Sequence, residues 1–141
     1  MKKEFEQISV QPGFMKHNGG LFFKTISENE YQFKTIIKEN HLNAAGITHG
    51  GFISAVVDAG AGTAAHRAAD QNPCVTISLE LKFISAVRLG QELIGKTKIQ
   101  KKTKSMVFLT CEMSADNKIV ATASGVWKIL NKKLPGAGPG G

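Results

Sequence analysis

The residue with the clearest chemical potential in this sequence is Asp58. It is the single charge between positions 50 and 65. Around it, Phe52, Ile53, Val56, Val57, Ala61, Ala64, Ala65 and Ala68 recur at helical spacing. A helix apolar on almost every side is expected to be buried. Asp58 falls about two turns in, beyond the reach of the N-terminal dipole. A lone buried carboxylate is costly unless it is hydrogen-bonded or protonated. Its helical neighbours Gly51, Ser54, Ala61 and Gly62 are small and would leave a cleft beside it. Two readings follow: a buried Asp tied to backbone groups, or a general base or nucleophile poised in a pocket.

His49-Gly50-Gly51 opens the same helix. Glycines at a helix start leave free amides uncovered, and such amides can hold an anion or a developing oxyanion. The plainer alternative is a glycine turn with a capping histidine. With Asp58 about two turns away on the same helix, the glycine amides become a stronger candidate for such a site than they are alone.

Other patterns carry less. Gly90, Gly95, Lys96 and Thr97 fit the phosphate-loop spacing G-x-x-x-x-G-K-[ST]. That loop must open a helix, whereas Lys96 to Ile99 continues an alternating strand, so nucleotide hydrolysis is set aside. Ser54 lacks the flanking glycines of a serine-hydrolase elbow. His17, His41 and His66 stand at no metal-ligating spacing, and neither a metal nor a cofactor is expected. Cys74 and Cys111 read as two reduced core thiols of a cytoplasmic protein.

The elements that must position these groups are legible as periods. Residues 21–37 alternate around Glu28-Asn29-Glu30 and predict a hairpin. Residues 38–49 read as a loop and 50–69 as the long helix, with His66 and Arg67 suited to its C-terminus. Gly60 and Gly62 would each cost about 1 kcal/mol inside a helix, so close approach by another group is expected there. Strands follow at 74–85, 93–99, 106–113 and 119–130, with a turn at Asp116-Asn117. The first 20 residues are polar and mixed, broken at Pro12-Gly13 and Asn18-Gly19-Gly20. One helix among six strands argues for an α+β domain, an antiparallel sheet curled around one long central helix.

The chain of 141 residues is the length of one domain, expected over 1–133, with a disordered Gly/Pro tail at 134–141. It is 42% hydrophobic and 21% charged, as soluble globular proteins are, and has no apolar run long enough for a membrane span. Its start has no secretory pattern. The net charge of +7 suits nucleic acid, an anionic membrane or a phosphate-rich small molecule. Lys96, Lys98, Lys101, Lys102 and Lys104 form a basic run with few aromatics interleaved. Base stacking is therefore poorly supported, and the expectation is a small phosphate-bearing ligand, with no nucleic acid and no membrane.

The segment Asn43-Ala44-Ala45-Gly46-Ile47-Thr48-His49-Gly50-Gly51, followed by Asp58, resembles the signature of hotdog-fold acyl-CoA thioesterases, closest to the phenylacetic-acid-degradation type. Val75 to Leu79, Phe83-Ile84-Ser85-Ala86 and Leu89-Gly90 resemble that family's following strand. The resemblance spans roughly residues 20 to 130. It implies the hotdog fold and hydrolysis of an acyl-CoA thioester. In that reading the Gly50 amide polarises the thioester carbonyl. Asp58 acts on water or on the carbonyl, Asn43 helps to hold substrate or water, and His49 supports the loop. Thr76 stands where relatives often carry a serine that orients the water. The resemblance also implies a homodimer or homotetramer whose sites lie between subunits, Asp58 acting with Gly50 of its partner. Arg88, Lys101, Lys102 and Lys104 are candidates for the phosphates of coenzyme A. Other classes on the same fold are a non-catalytic acyl-CoA-binding module and a dehydratase or isomerase.

Overall fold

The computed structural model describes residues 4–131, so the expected tail at 134–141 lies outside the described residues. In chain order the elements are β1 (Glu6–Ile8), α1 (Phe14–His17), β2 (Leu21–Thr25), β3 (Glu30–Ile36), a 3-10 turn (Glu39–His41), α2 (Gly50–Ala68), β4 (Cys74–Phe83), β5 (Glu92–Lys102), β6 (Met106–Ala115) and β7 (Lys118–Ile129). The strands form one antiparallel sheet in the order β1-β2-β3-β5-β6-β7-β4. The sheet curls around α2, as its residue pattern requires. Besides the 3-10 turn within the segment read as a loop, two elements escaped the sequence reading. β1 pairs three residues with β2, and α1 is a single turn. Both are too short to show a period.

The inner face of the sheet supplies the alternating core residues Phe23, Phe33, Leu93, Leu109, Met113 and Trp127, all almost fully buried against α2. Full burial of one such apolar side chain contributes about 1.5–3 kcal/mol. Phe33 explains two glycines. Its ring lies against Gly60 of α2 and Gly95 of β5, where a Cβ at either position would overlap it. The helical cost of Gly60 is therefore the condition for seating Phe33. Gly62 admits the Trp127 indole, whose Nε1 would lie 3.3 Å from a Cβ there. The chain reverses between β6 and β7 through Asp116 and Asn117 at φ 48° and 63°, the left-handed pair that a tight hairpin needs.

β4 is the edge strand beyond β7, and it carries a bulge. Thr76 pairs with Trp127, but Ser78 pairs with Val126, so Ile77 is an extra residue. The bulge switches the alternation. It lets Thr76 share the helix-facing side with Leu79, Leu81 and Phe83, which would otherwise point the other way. Ile77 itself is 52% exposed.

Candidate active site

The first part of the site is the loop before α2. The Asn43 carboxamide oxygen accepts from the backbone N–H groups of Ala45 (2.9 Å) and Ile47 (3.3 Å). The Asn43 backbone N–H donates to the Ile47 carbonyl at 2.7 Å, alongside the side chain's two bonds. This side chain thus builds the turn around Gly46, whose φ of 80° suits glycine. Thr48 then fastens the turn to the 84–91 segment. Its N–H and its hydroxyl both donate to the Val87 carbonyl at 2.8 Å.

His49 is the N-cap of α2. Its Nδ1 accepts the Gly51 N–H at 2.8 Å, as the capping reading expected. The amides of Phe52 and Ile53 are taken by the His49 carbonyl. Among the described residues, the Gly50 N–H is left without a partner, the usual state of a first-turn amide. The Phe83 ring lies beside it, 3.5 Å from where a Gly50 Cβ would stand. Gly50 opens onto a pocket of about 340 Å³ whose walls include Ile47, Ile53, Phe83 and Ile84. Asn43, His49 and Gly50 therefore meet at one place: a free amide at a helix N-terminus beside an apolar pocket. The sequence reading missed the walls. Phe83 and Ile84 looked like ordinary strand residues, and only their placement beside the helix start marks them.

The second part lies further along α2. The Thr76 hydroxyl donates to Asp58 Oδ1 at 2.6 Å, a length typical of a charge-assisted bond. Among the described residues, nothing hydrogen-bonds the other carboxylate oxygen. The expectation that Asp58 is buried is corrected: both Asp58 and Thr76 are exposed in the single chain. The reason is geometric. Gly51, Ala55, Asp58 and Gly62 form a strip of α2 that the sheet does not fully cover, flanking edge strand β4. The expected cleft of small neighbours is also narrower than read, because Ala61 is fully buried and Gly62 is taken by Trp127.

Asp58 stands about 12 Å along the axis from Gly50, at 1.5 Å per residue. One chain therefore does not bring its amide and its carboxylate to one reacting centre. The basic candidates are split as well. Arg88 adjoins Val87 at the Gly50 end, its N–H bonded to the Gln91 side chain at 2.7 Å. Lys102 pairs with Asp70 just past the C-terminus of α2 at 3.2 Å, beside Lys101 and Lys104 on the β5–β6 hairpin. These lysines and Arg88 sit at opposite ends of a helix about 28 Å long.

The model of the thioesterase superfamily matches residues 45–122, more than half of the chain, including His49, Gly50, Asp58 and Thr76 and starting two residues after Asn43. The chain belongs to the thioesterase superfamily. It is 31% identical over 112 residues to a candidate esterase of Pseudomonas aeruginosa, covering 79% of this chain and 84% of that one. It is 26% identical over 88 residues to human acyl-coenzyme A thioesterase 13, covering 60% of this chain and 62% of the other. Among solved structures it resembles a mutant of the phenylacetic acid degradation protein PaaI from Thermus thermophilus, with TM-score 0.74, 21% identity, and 82% and 97% of the two chains covered. It also resembles a hypothetical thioesterase from Streptococcus pneumoniae solved with coenzyme A, with TM-score 0.73, 15% identity, and 93% and 99% covered. The fold is the hotdog fold, and the protein is a thioester hydrolase. None of the helices in the described residues is long and apolar enough to cross a membrane.

Proposed function

We propose that this thioesterase hydrolyses acyl-CoA, in a site completed by a second copy of the chain. The observation that carries the reading is the hydrogen-bonded pair Asp58–Thr76, exposed beside a sheet edge that is unpaired among the described residues, and out of reach of its own Gly50 amide. A second copy, antiparallel across β4, would set Gly50 of one chain opposite Asp58 of the other, and one two-fold axis would make two such sites. The edge itself suits this. A ten-residue edge strand with Val75 and Ile77 exposed is what soluble proteins ordinarily protect. The small residues of the α2 strip would let two helices approach closely. Pairs of dimers would give the tetramer.

The chemistry follows from the donors. Thr76 commits its proton to Asp58, so its lone pairs and the free Asp58 oxygen can both hold a water. Asp58 takes the proton as the water oxygen attacks the thioester carbon. The Gly50 N–H receives the developing oxyanion. The carbon–sulfur bond then breaks, the thiolate of coenzyme A takes up a proton, and the free acid leaves. Direct attack by Asp58, with hydrolysis of the resulting anhydride, uses the same groups. Asn43 and His49 serve this scheme by shaping the loop and first turn that present Gly50. Arg88 at one chain's helix start, with Lys101, Lys102 and Lys104 of the other copy, would hold the phosphates. A coenzyme A substrate is supported by the activity named for the human relative and by the coenzyme A in the streptococcal structure. The two free cysteines fit a reducing cytoplasm.

The test is hydrolysis of an acyl-CoA panel (aryl, short and long), read by thiol release. Turnover of at least one member above the background of Asp58→Asn supports the reading. Turnover of non-CoA thioesters alone would replace coenzyme A as the substrate class.

A further inference from the structure

His41 is the least expected polar group in the protein. It is 2% exposed and outside the Asp58–Gly50 machinery, yet both ring nitrogens are engaged. Nδ1 accepts the Lys38 N–H at 2.9 Å, and Nε2 lies 2.7 Å from the Asn18 carbonyl. A carbonyl only accepts, so Nε2 carries the proton and Nδ1 the lone pair: only the neutral Nε2–H tautomer satisfies both partners. The ring stacks on Phe52 in the first turn of α2, with centroids 3.7 Å apart and planes at 8°. The His41 carbonyl accepts the N–H of His49, the α2 N-cap, at 2.8 Å.

We infer that His41 is a positioning residue: its neutral imidazole locks the first turn of α2 and thereby fixes where the Gly50 amide points. Three elements converge on it. α1 reaches it through the Asn18 carbonyl at its C-cap, the 3-10 turn through Lys38, and α2 through Phe52 and the His49 N–H. Among the described residues the ionisable group acting on the ring is Lys38. Burial and the Lys38 charge favour the neutral ring, and the Asn18 carbonyl opposes them. A proton on Nδ1 would point at the Lys38 N–H, donor against donor. That bond would break and free the ring from the 3-10 turn, leaving the Phe52 stack to a ring no longer held in its plane, while the His41 carbonyl would still accept the His49 N–H.

The role in turnover rests on the proposed hydrolysis, so the experiment has one arm independent of activity. In isotope-labelled wild-type protein, the ring nitrogens of His41 should report the Nε2–H tautomer and titrate below 6.5. The Gly50 and Phe52 amide resonances should move with the same midpoint. An equal mixture of tautomers, or amides that ignore that midpoint, overturns the inference whatever the protein hydrolyses. In the kinetic arm, His41→Phe keeps a stacking ring and loses both hydrogen bonds. It should lower kcat about 10- to 100-fold, part of the 10²–10³ that loss of an oxyanion donor brings, with KM within about threefold. His41→Asn restores an acceptor near Nδ1 and His41→Gln a donor near Nε2, and each should recover part of kcat. A His41→Phe protein with wild-type kcat and pH profile per folded molecule, altered only in melting temperature, would make His41 merely structural and overturn the inference.

Discussion

Thr76 donates its hydroxyl proton to Asp58 at 2.6 Å, tying the middle of the helix to the edge strand at the residue before the bulge. The bond sets the roles of both groups, because a hydroxyl that has given its proton away is left as an acceptor. Thr76→Ser keeps that hydroxyl and should hold turnover within about threefold. Thr76→Ala removes it and should slow turnover by about tenfold, a fraction of the 10²–10⁴ attributed to a general base. Full activity in the alanine variant would reduce Thr76 to packing.

Asp58→Asn preserves the shape of the side chain and removes its capacity to take a proton. Hydrolysis should fall by about two to four orders of magnitude, with circular dichroism and oligomeric mass unchanged. Turnover within threefold of wild type would take Asp58 out of the mechanism.

The Gly50 amide can be deleted without deleting the helix. Proline lacks the N–H and is tolerated at the first helical position, and His49 before it is already extended at ψ 133°. Gly50→Pro should cost about 10²–10³ in kcat at a near-native melting temperature. Gly50→Ala keeps the N–H, and its Cβ would meet Phe83 at an ordinary 3.5 Å, so most activity should survive. Equal activity of the two variants would exclude the amide as the oxyanion donor.

Asp58 was legible because one charge interrupts an otherwise apolar helical run, and Gly60 because a helix keeps such a residue only under close approach. Phe33 supplies that approach, and no local pattern names Phe33 as its agent. The exposure of Asp58 was hidden for a similar reason. Periodicity says that α2 is apolar all round, but not which strip the curled sheet leaves uncovered. The bulge at Ile77, which turns Thr76 toward the helix, changes the strand's period by one residue and leaves no mark in composition. His41 was read only for metal spacing. Its partners at Asn18, Lys38 and Phe52 come from three elements that meet only in the folded chain.

Gly60→Ala should destabilise the fold despite a gain of about 1 kcal/mol in helix propensity, since the new Cβ would overlap the buried Phe33 ring. Overpacking of this kind costs about 1–3 kcal/mol, and thermal denaturation should show the loss. Phe33→Leu in the same chain should recover part of it. A Gly60→Ala protein more stable than wild type would show that Phe33 moves aside freely.

The neutral His41 ring also couples stability to pH. Its native pKa is lowered, so the unfolded chain takes up a proton near 6.5 while the native state resists it. The contribution is complete above pH 6.5 and is lost as pH falls through that value toward the lower native one. The stability advantage of wild type over His41→Gln should therefore narrow between pH 7.5 and 5.5 in denaturant melts. A gap that stays constant or widens would contradict the sign.

The shared site is tested most directly by mixing two inactive proteins. Asp58→Asn chains retain the Gly50 amide, and Gly50→Pro chains retain Asp58. Subunit exchange should create mixed dimers with one intact site, so about a quarter of wild-type activity should return at equal mixing, half the dimers being mixed with one of two sites intact. No recovery despite exchange proven by mass spectrometry, or full activity from a monomer in light scattering, would contradict a site built from Asp58 of one chain and Gly50 of the other.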